Sequence, residues 1–199
     1  MIAVLDICGN NLASLSNSLA RLGYDYTLTH NPKEIEEASH LIIPGVGTAS
    51  SGMAALIQYG LVDLIRELQQ PVLGICLGMQ LLYEYSEEGQ VKCLGLLPGK
   101  VSSFSHRKGC PVPHMGWNSI SWLQESPLQQ QLPEKTFLYF VHSYARFIDN
   151  SNEQTIASCD YIQSFSAIVQ QENKVGMQFH PEKSAEAGLQ LLNNFLRMQ

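Results

Sequence analysis

The five cysteines of this 199-residue chain, Cys8, Cys76, Cys93, Cys110 and Cys159, include no Cys-x-x-Cys pair and no zinc-ligand spacing. An odd, scattered set excludes a disulfide framework and points to a reducing compartment. Charge is scarce too: 15% of residues are Asp, Glu, Lys or Arg, against about 25% in an average globular protein, so Ser, Asn and Gln carry much of the solvation. Cations are the rarer sign, 12 Lys and Arg against 18 Asp and Glu, for a formal charge of -6. With no basic run to neutralise phosphates, nucleic acid and anionic membrane surfaces are excluded as partners. The longest apolar stretch, residues 72–83, is too short and too Gly-rich to span a bilayer. Met1 leads straight into Ile2, Ala3, Val4 and Leu5 without the basic segment of a signal peptide, so the cytosol is the expected location.

What the chain does have is a large apolar fraction, 45%, enough for one domain over residues 1–199 that buries about 70% of its unfolded surface. Residues 1–6 read as a buried strand, and Leu12, Leu15, Leu19 and Leu22 mark one face of a helix closed by Gly23. A short strand near 26–29 follows, then a helix with Asn31 as N-cap, Pro32 at its first position and Glu34 in its first turn, then an apolar strand at 41–43. Leu61, Leu64, Ile65 and Leu68 share a helical face after an interruption at Gly60, and Pro71 opens an apolar strand that passes into a helix at Cys76. Gly and Pro punctuate residues 89–120, whereas 137–145 and 167–179 read as antiparallel strands, with a turn near Glu172 and Asn173. A last helix begins at Ser184, with Leu189, Leu192 and Leu196 on one face. These elements predict a three-layer α/β sandwich. Its central sheet is mixed and mostly parallel, helices cover both faces, and the chemistry lies at the carboxyl ends of the strands.

Three segments carry candidate chemistry. Gly74 and Gly78 flank Cys76 at the point where strand becomes helix. A reactive side chain must stand proud of the sheet on a turn so tight that neighbouring Cβ atoms would clash, and glycine on both sides removes the clash. At a helix N-terminus a thiolate is stabilised by amide N–H groups and the helix dipole, and the N–H of Leu77 can point at an oxyanion. A lone cysteine in an apolar run is ordinarily structural; the paired glycines reverse that reading. Of the six histidines, His180 is the one followed by a carboxylate at a useful offset, Glu182. Pro181 disfavours helical geometry at His180, so both side chains can point the same way, as in a Cys, His, Glu triad. A capping role for His180 ahead of the last helix stays open at this level. Finally, Pro44, Gly45, Val46 and Gly47 follow an apolar strand; their glycines either free an amide to serve as a second oxyanion donor or merely end the strand.

Taken together, the glycine-flanked Cys76 followed by Met79 and Gln80, the distant His180, Pro181 and Glu182, and the turn at 44–47 resemble the triad-type class I glutamine amidotransferases, in the order that family uses. Residues 112–118 (VPHMGWN), 140–144 (FVHSY) and 180–184 (HPEKS) are similar to one branch, the glutaminase subunits of imidazole glycerol phosphate synthase, which act in histidine biosynthesis. The run from His114 to Asn118 argues against another branch, the glutaminase subunits of pyridoxal phosphate synthase. An inert binding or regulatory protein of the same fold is the remaining alternative, and the intact Cys76, His180 and Glu182 argue against it. One departure lies in residues 6–11 (DICGNN), where Cys8 replaces the family's usual glycine.

The resemblance implies hydrolysis of glutamine to glutamate and ammonia, without metal or cofactor. Cys76 is then the nucleophile, His180 its base and acid, and Glu182 the third member. Leu77 and an amide among Gly45, Val46 and Gly47 form the oxyanion hole. Gln80, Glu88, His142, Ser143 and Tyr144 match positions that hold the amino and carboxylate groups of glutamine. The resemblance also implies a heterodimer in which ammonia passes to a cyclase subunit, with Tyr139, Lys183 and Asn11 at the interface.

Overall fold

A computed structural model of the chain describes residues 1–7, 12–45, 47–149 and 153–198. The elements run β1 (Ile2–Leu5), α1 (Ala13–Arg21), β2 (Tyr26–Thr29), α2 (Pro32–Glu36), β3 (His40–Ile43), α3 (Ala49–Gln58), α4 (Leu61–Glu67), β4 (Val72–Ile75) and α5 (Leu77–Leu82). They continue with β5 (Tyr83–Ser86), β6 (Val91–Lys92), β7 (Leu97–Ser103), β8 (His114–Trp122), β9 (Phe137–His142), β10 (Tyr144–Ala145), β11 (Thr155–Asp160), β12 (Ser164–Gln171), β13 (Lys174–Met177) and α6 (Ala185–Leu196). Local signals start the helices. The Asn31 side chain accepts from the N–H of Lys33 at the head of α2, and Thr48 and Ser51 cap α3 reciprocally.

Nine strands form the main sheet in the order β2-β1-β3-β4-β13-β12-β11-β8-β9, and β10-β7-β5-β6 form a smaller one. From β2 to β13 the pairing is parallel; from β13 outward to β9 it is antiparallel. The sheet is mixed, as expected, with its parallel pairing confined to five strands. Three strands, β6, β7 and β8, run through the segment whose glycines and prolines suggest irregular chain. Gly116, at φ 130, lies within β8 and locally distorts it without ending it.

Successive side chains of a strand point to opposite faces of the sheet, and the buried runs here feed two cores. Ile2 and Val4 join Leu15, Leu19, Leu191 and Phe195 beneath α1 and α6. Ala3 and Leu5 join Met53, Leu56, Leu61, Ile65 and Leu81 beneath α3, α4 and α5. Each fully buried Leu or Ile contributes about 1.5–3 kcal/mol, so both faces must be covered, which yields the three-layer sandwich. This layering sets the carboxyl ends of β3, β4 and β13 side by side, with the end of β9 close by. Among the described residues, no helix is long and apolar enough to cross a membrane.

Candidate active site

Cys76 joins β4 to α5 at φ 51, ψ -107, a strained conformation for any residue with a side chain. Its N–H donates to the Met177 carbonyl at 2.7 Å, which ties the turn to β13. Sterics explain the flanking glycines. A Cβ on Gly74 would lie 2.5 Å from the carbonyl of Gly78, and one on Gly78 would lie 1.9 Å from the Ile43 oxygen. Gly45 belongs to the same cluster, since a Cβ there would lie 2.1 Å from the Ile75 oxygen and 2.4 Å from the Leu77 nitrogen. Two glycine motifs far apart in sequence thus meet as bare backbone against backbone.

His180 is extended, with φ -97 and ψ 99, and 6% exposed. Pro181 starts a short 3-10 turn that brings Glu182 back, so that Oε1 lies 2.8 Å from His180 Nδ1. Burial alone would lower the imidazole pKa. Hydrogen bonds and charge from Cys76 and Glu182 outweigh it and raise the value to about 10, so His180 holds its proton at neutral pH. The other oxygen of Glu182, Oε2, is buried with no partner among the described residues. Cys76 Sγ lies 3.8 Å from the Val141 oxygen and accepts from Gln178 Nε2 at 3.7 Å.

A second pair of imidazoles packs nearby. His142 Nδ1 lies 2.8 Å from the Tyr144 carbonyl, which can only accept, so Nδ1 carries the proton and Nε2 is an acceptor. His114 Nδ1, 3.1 Å from that Nε2, must then donate, leaving His114 Nε2 to accept from Asn118 Nδ2 at 3.4 Å. Burial pushes the pKa of His114 down to about 4 and that of His142 to about 3. Both rings are neutral at pH 7 and locked in one tautomer.

These elements enclose a cavity of about 400 Å³. Gly45, Gly47, Cys76, Leu77 and Gln80 line one side, Glu88 approaches from the turn after β5, and Val141, His142, Ser143 and Tyr144 form the facing wall. His180, Lys183 and Pro113 complete it. Most residues singled out from the sequence therefore meet in one place. Glu182 stands behind His180. Tyr139 lies off the cavity, its carbonyl accepting from the His180 N–H at 3.0 Å. Asn11, Val46 and Cys8 fall outside the described residues. Gln80 Nε2 donates to the Tyr144 carbonyl at 2.9 Å and to Gln178 Oε1 at 3.1 Å, which fixes the orientation of its amide. Glu88 Oε2 accepts from the Ala49 N–H at 2.8 Å. Sequence reasoning assigned no role to Gln178, which is fully buried. Its signal was a lone uncharged polar residue in the apolar run 175–179.

A family model for glutamine amidotransferase class-I matches residues 3–198. The chain belongs to that family. Among the curated relatives of this amidotransferase, imidazole glycerol phosphate synthase subunit HisH 2 of Legionella pneumophila (strain Paris) is 56% identical over 199 residues, 100% of this chain and 98% of that protein. The subunit HisH of Xylella fastidiosa (strain Temecula1) is 48% identical over 197 residues, 99% of this chain and 97% of that protein. Among solved structures, a glutamine amidotransferase matches with a TM-score of 0.76 at 18% identity, covering 98% of this chain and 96% of that one. The glutaminase domain of Trypanosoma brucei CTPS with bound acivicin matches with a TM-score of 0.68 at 15% identity, covering 100% and 94%. At such identities the likeness is one of fold, and it spans the whole amidotransferase sheet.

Proposed function

We propose that this amidotransferase is the glutaminase subunit of an imidazole glycerol phosphate synthase, and that Cys76, His180 and Glu182 hydrolyse glutamine in the cavity described above. The observation that carries the chemistry is a buried imidazole set between the Cys76 sulfur and a carboxylate 2.8 Å from its Nδ1. The proton of the Cys76 thiol is the one His180 carries, so the sulfur attacks the carboxamide carbon as a thiolate, and the oxyanion that forms is held by the Leu77 N–H and an amide from Gly45, Val46 or Gly47. The carbon–nitrogen bond breaks as His180 gives its proton to the leaving nitrogen, releasing ammonia and a glutamyl thioester. Neutral His180 then takes a proton from water, whose oxygen attacks the thioester; the sulfur leaves, and glutamate departs. Gln80 and Glu88 present oxygens to the substrate ammonium, and the backbone of His142, Ser143 and Tyr144 receives its carboxylate.

Ammonia released into water is protonated and loses its nucleophilicity, so the product passes through a dry route to a cyclase subunit, which makes imidazole glycerol phosphate. The face offered to that partner is the outer hairpin of β8 and β9, where Met115 (62%), Trp117 (54%) and Phe137 (45%) are exposed and Trp117 packs edge-on against Tyr139. Apolar side chains gathered in this way suit a protein interface. Lys183 lines the cavity, and the resemblance assigns it, with Asn11, to the partner's interface. The free thiols Cys76, Cys93, Cys110 and Cys159 fit the cytosol.

The test is glutamate release from glutamine by the chain alone, with the cyclase subunit, and with the cyclase carrying its ribonucleotide ligand. Activity is expected in the loaded complex and falls by about 10³-fold or more in Cys76→Ala. Full activity of the lone chain, or undiminished activity in the variant, would sink the proposal.

A further inference from the structure

We propose that Gln178 is a further residue of the reaction centre, its side-chain amide donating an N–H to Cys76 Sγ and favouring the anionic form of the nucleophile. The inference rests on Cys76 being that nucleophile. A glutamine amide can be turned either way, so the orientation has to be argued. The Tyr144 carbonyl can only accept, so the Gln80 atom 2.9 Å from it is the amide nitrogen. That same nitrogen lies 3.1 Å from the nearest atom of Gln178, which must therefore be the oxygen, Oε1. The Gln178 nitrogen is then the atom left facing the sulfur, at 3.7 Å. A backbone carbonyl thus sets the polarity of two successive side chains, the second ending on the nucleophile.

The sulfur's two other contacts complement this one. Val141 O, at 3.8 Å, accepts the S–H of the neutral thiol. Loss of that proton leaves Val141 with nothing to accept, whereas the Gln178 N–H now points at an anion and its hydrogen bond strengthens. His180 supplies the second donor. Gln178 is fully buried and is not on the cavity wall, so it acts on the sulfur and not on glutamine. Its neighbour Gln80 does line the cavity, which separates the roles of the two amides.

The experiment follows the rate of Cys76 alkylation by iodoacetamide against pH, with the modified peptide resolved from those of the other cysteines by mass spectrometry, in the native complex and in two variants. Gln178→Met fills the same space without a donor. Gln178→Glu keeps an oxygen for Gln80 but removes the N–H that faces the sulfur. The other titratable groups around Cys76, namely His180 with Glu182 behind it and Glu88, His142 and Lys183 on the cavity wall, are unchanged in both. The alkylation profile is expected to move to higher pH by about one unit in Gln178→Met, and further in Gln178→Glu, where a carboxylate faces the thiolate. With glutamine, kcat is expected to fall about ten-fold while KM stays within about two-fold. An unmoved profile in whichever variant folds overturns the proposal, as does a loss of kcat without a displaced profile. If Cys76→Ala stays active, the catalytic reading fails by itself, while the alkylation profile still decides whether Gln178 acts on the sulfur.

Discussion

From β2 to β13 the strands of the main sheet are four residues long and pair in parallel, and four of the five are buried throughout. Beyond β13 they lengthen to between six and nine residues, pair antiparallel, and in β8 and β9 alternate between buried and open positions. Cys76 and His180 both come from the ends of the parallel strands, whereas the facing wall of the cavity and the exposed aromatic hairpin come from the antiparallel ones. A parallel strand covered on both sides has no surface to offer a partner but ends in well-fixed turns. An antiparallel strand with one open face can read substrate on one side and another protein on the other. The difference teaches that the buried half of the sheet supplies the fixed turns that carry Cys76 and His180, while the half with an open face supplies the exposed aromatic surface.

Glycine substitutions test that division most severely. Gly78→Ala forces a carbon to 1.9 Å from a backbone oxygen and is expected to cost about 3 kcal/mol or more. Gly116→Ala in β8, where nothing lies within 4 Å of the new carbon, pays only for its positive φ, about 1–2 kcal/mol. Urea unfolding midpoints measure both, and equal losses would erase the contrast. Trp117→Ala is expected to leave stability within about 0.5 kcal/mol yet weaken binding to the cyclase subunit by about 2 kcal/mol, measured by titration calorimetry. Undiminished affinity would move the interface elsewhere.

The remaining effect is one of pH, and its sign differs between the halves. His114 and His142 bind protons at about 4 and 3 when folded but near 6.5 when unfolded, so stability falls as pH drops from 6.5 through that range. His180, raised to about 10, contributes fully below pH 6.5 and loses its contribution as pH climbs toward 10. His114→Gln is expected to lessen the acid-side loss by about 3 kcal/mol at pH 4 and to leave the alkaline side alone. Glu182→Gln does the reverse. Thermal midpoints from pH 4 to 10 show whether the two limbs separate this way.

The same division governs what could be read from residues alone. Short, wholly apolar runs such as Val72 to Ile75 announce β4 because both faces of the strand are covered. β8 is harder to see: Met115 and Trp117 face outward, and Gly116 interrupts them. β11 was not foreseen either; its residues Thr155, Ser158 and Asp160 dilute the apolar pattern, although the strand is almost wholly buried. Cys76, His180 and Glu182 were legible because each carries its reason in its immediate neighbours: glycines, a proline, a carboxylate two residues on. The contact of His114 with His142 was not, since it arises from the register of β8 against β9, and register depends on pairing that spacing does not encode. Gln178 was hidden likewise, its partners Gln80 and Cys76 lying about a hundred residues away.

The contact at Gly45 has a mechanical consequence. With no space for even one carbon between it and the backbone of Ile75 and Leu77, Gly45 and the peptide bearing Cys76 have nothing compressible between them. Close-packed atoms transmit displacement instead of absorbing it. A push on Gly45 therefore reaches the sulfur's own main chain undamped, like a rod bearing directly on a trigger.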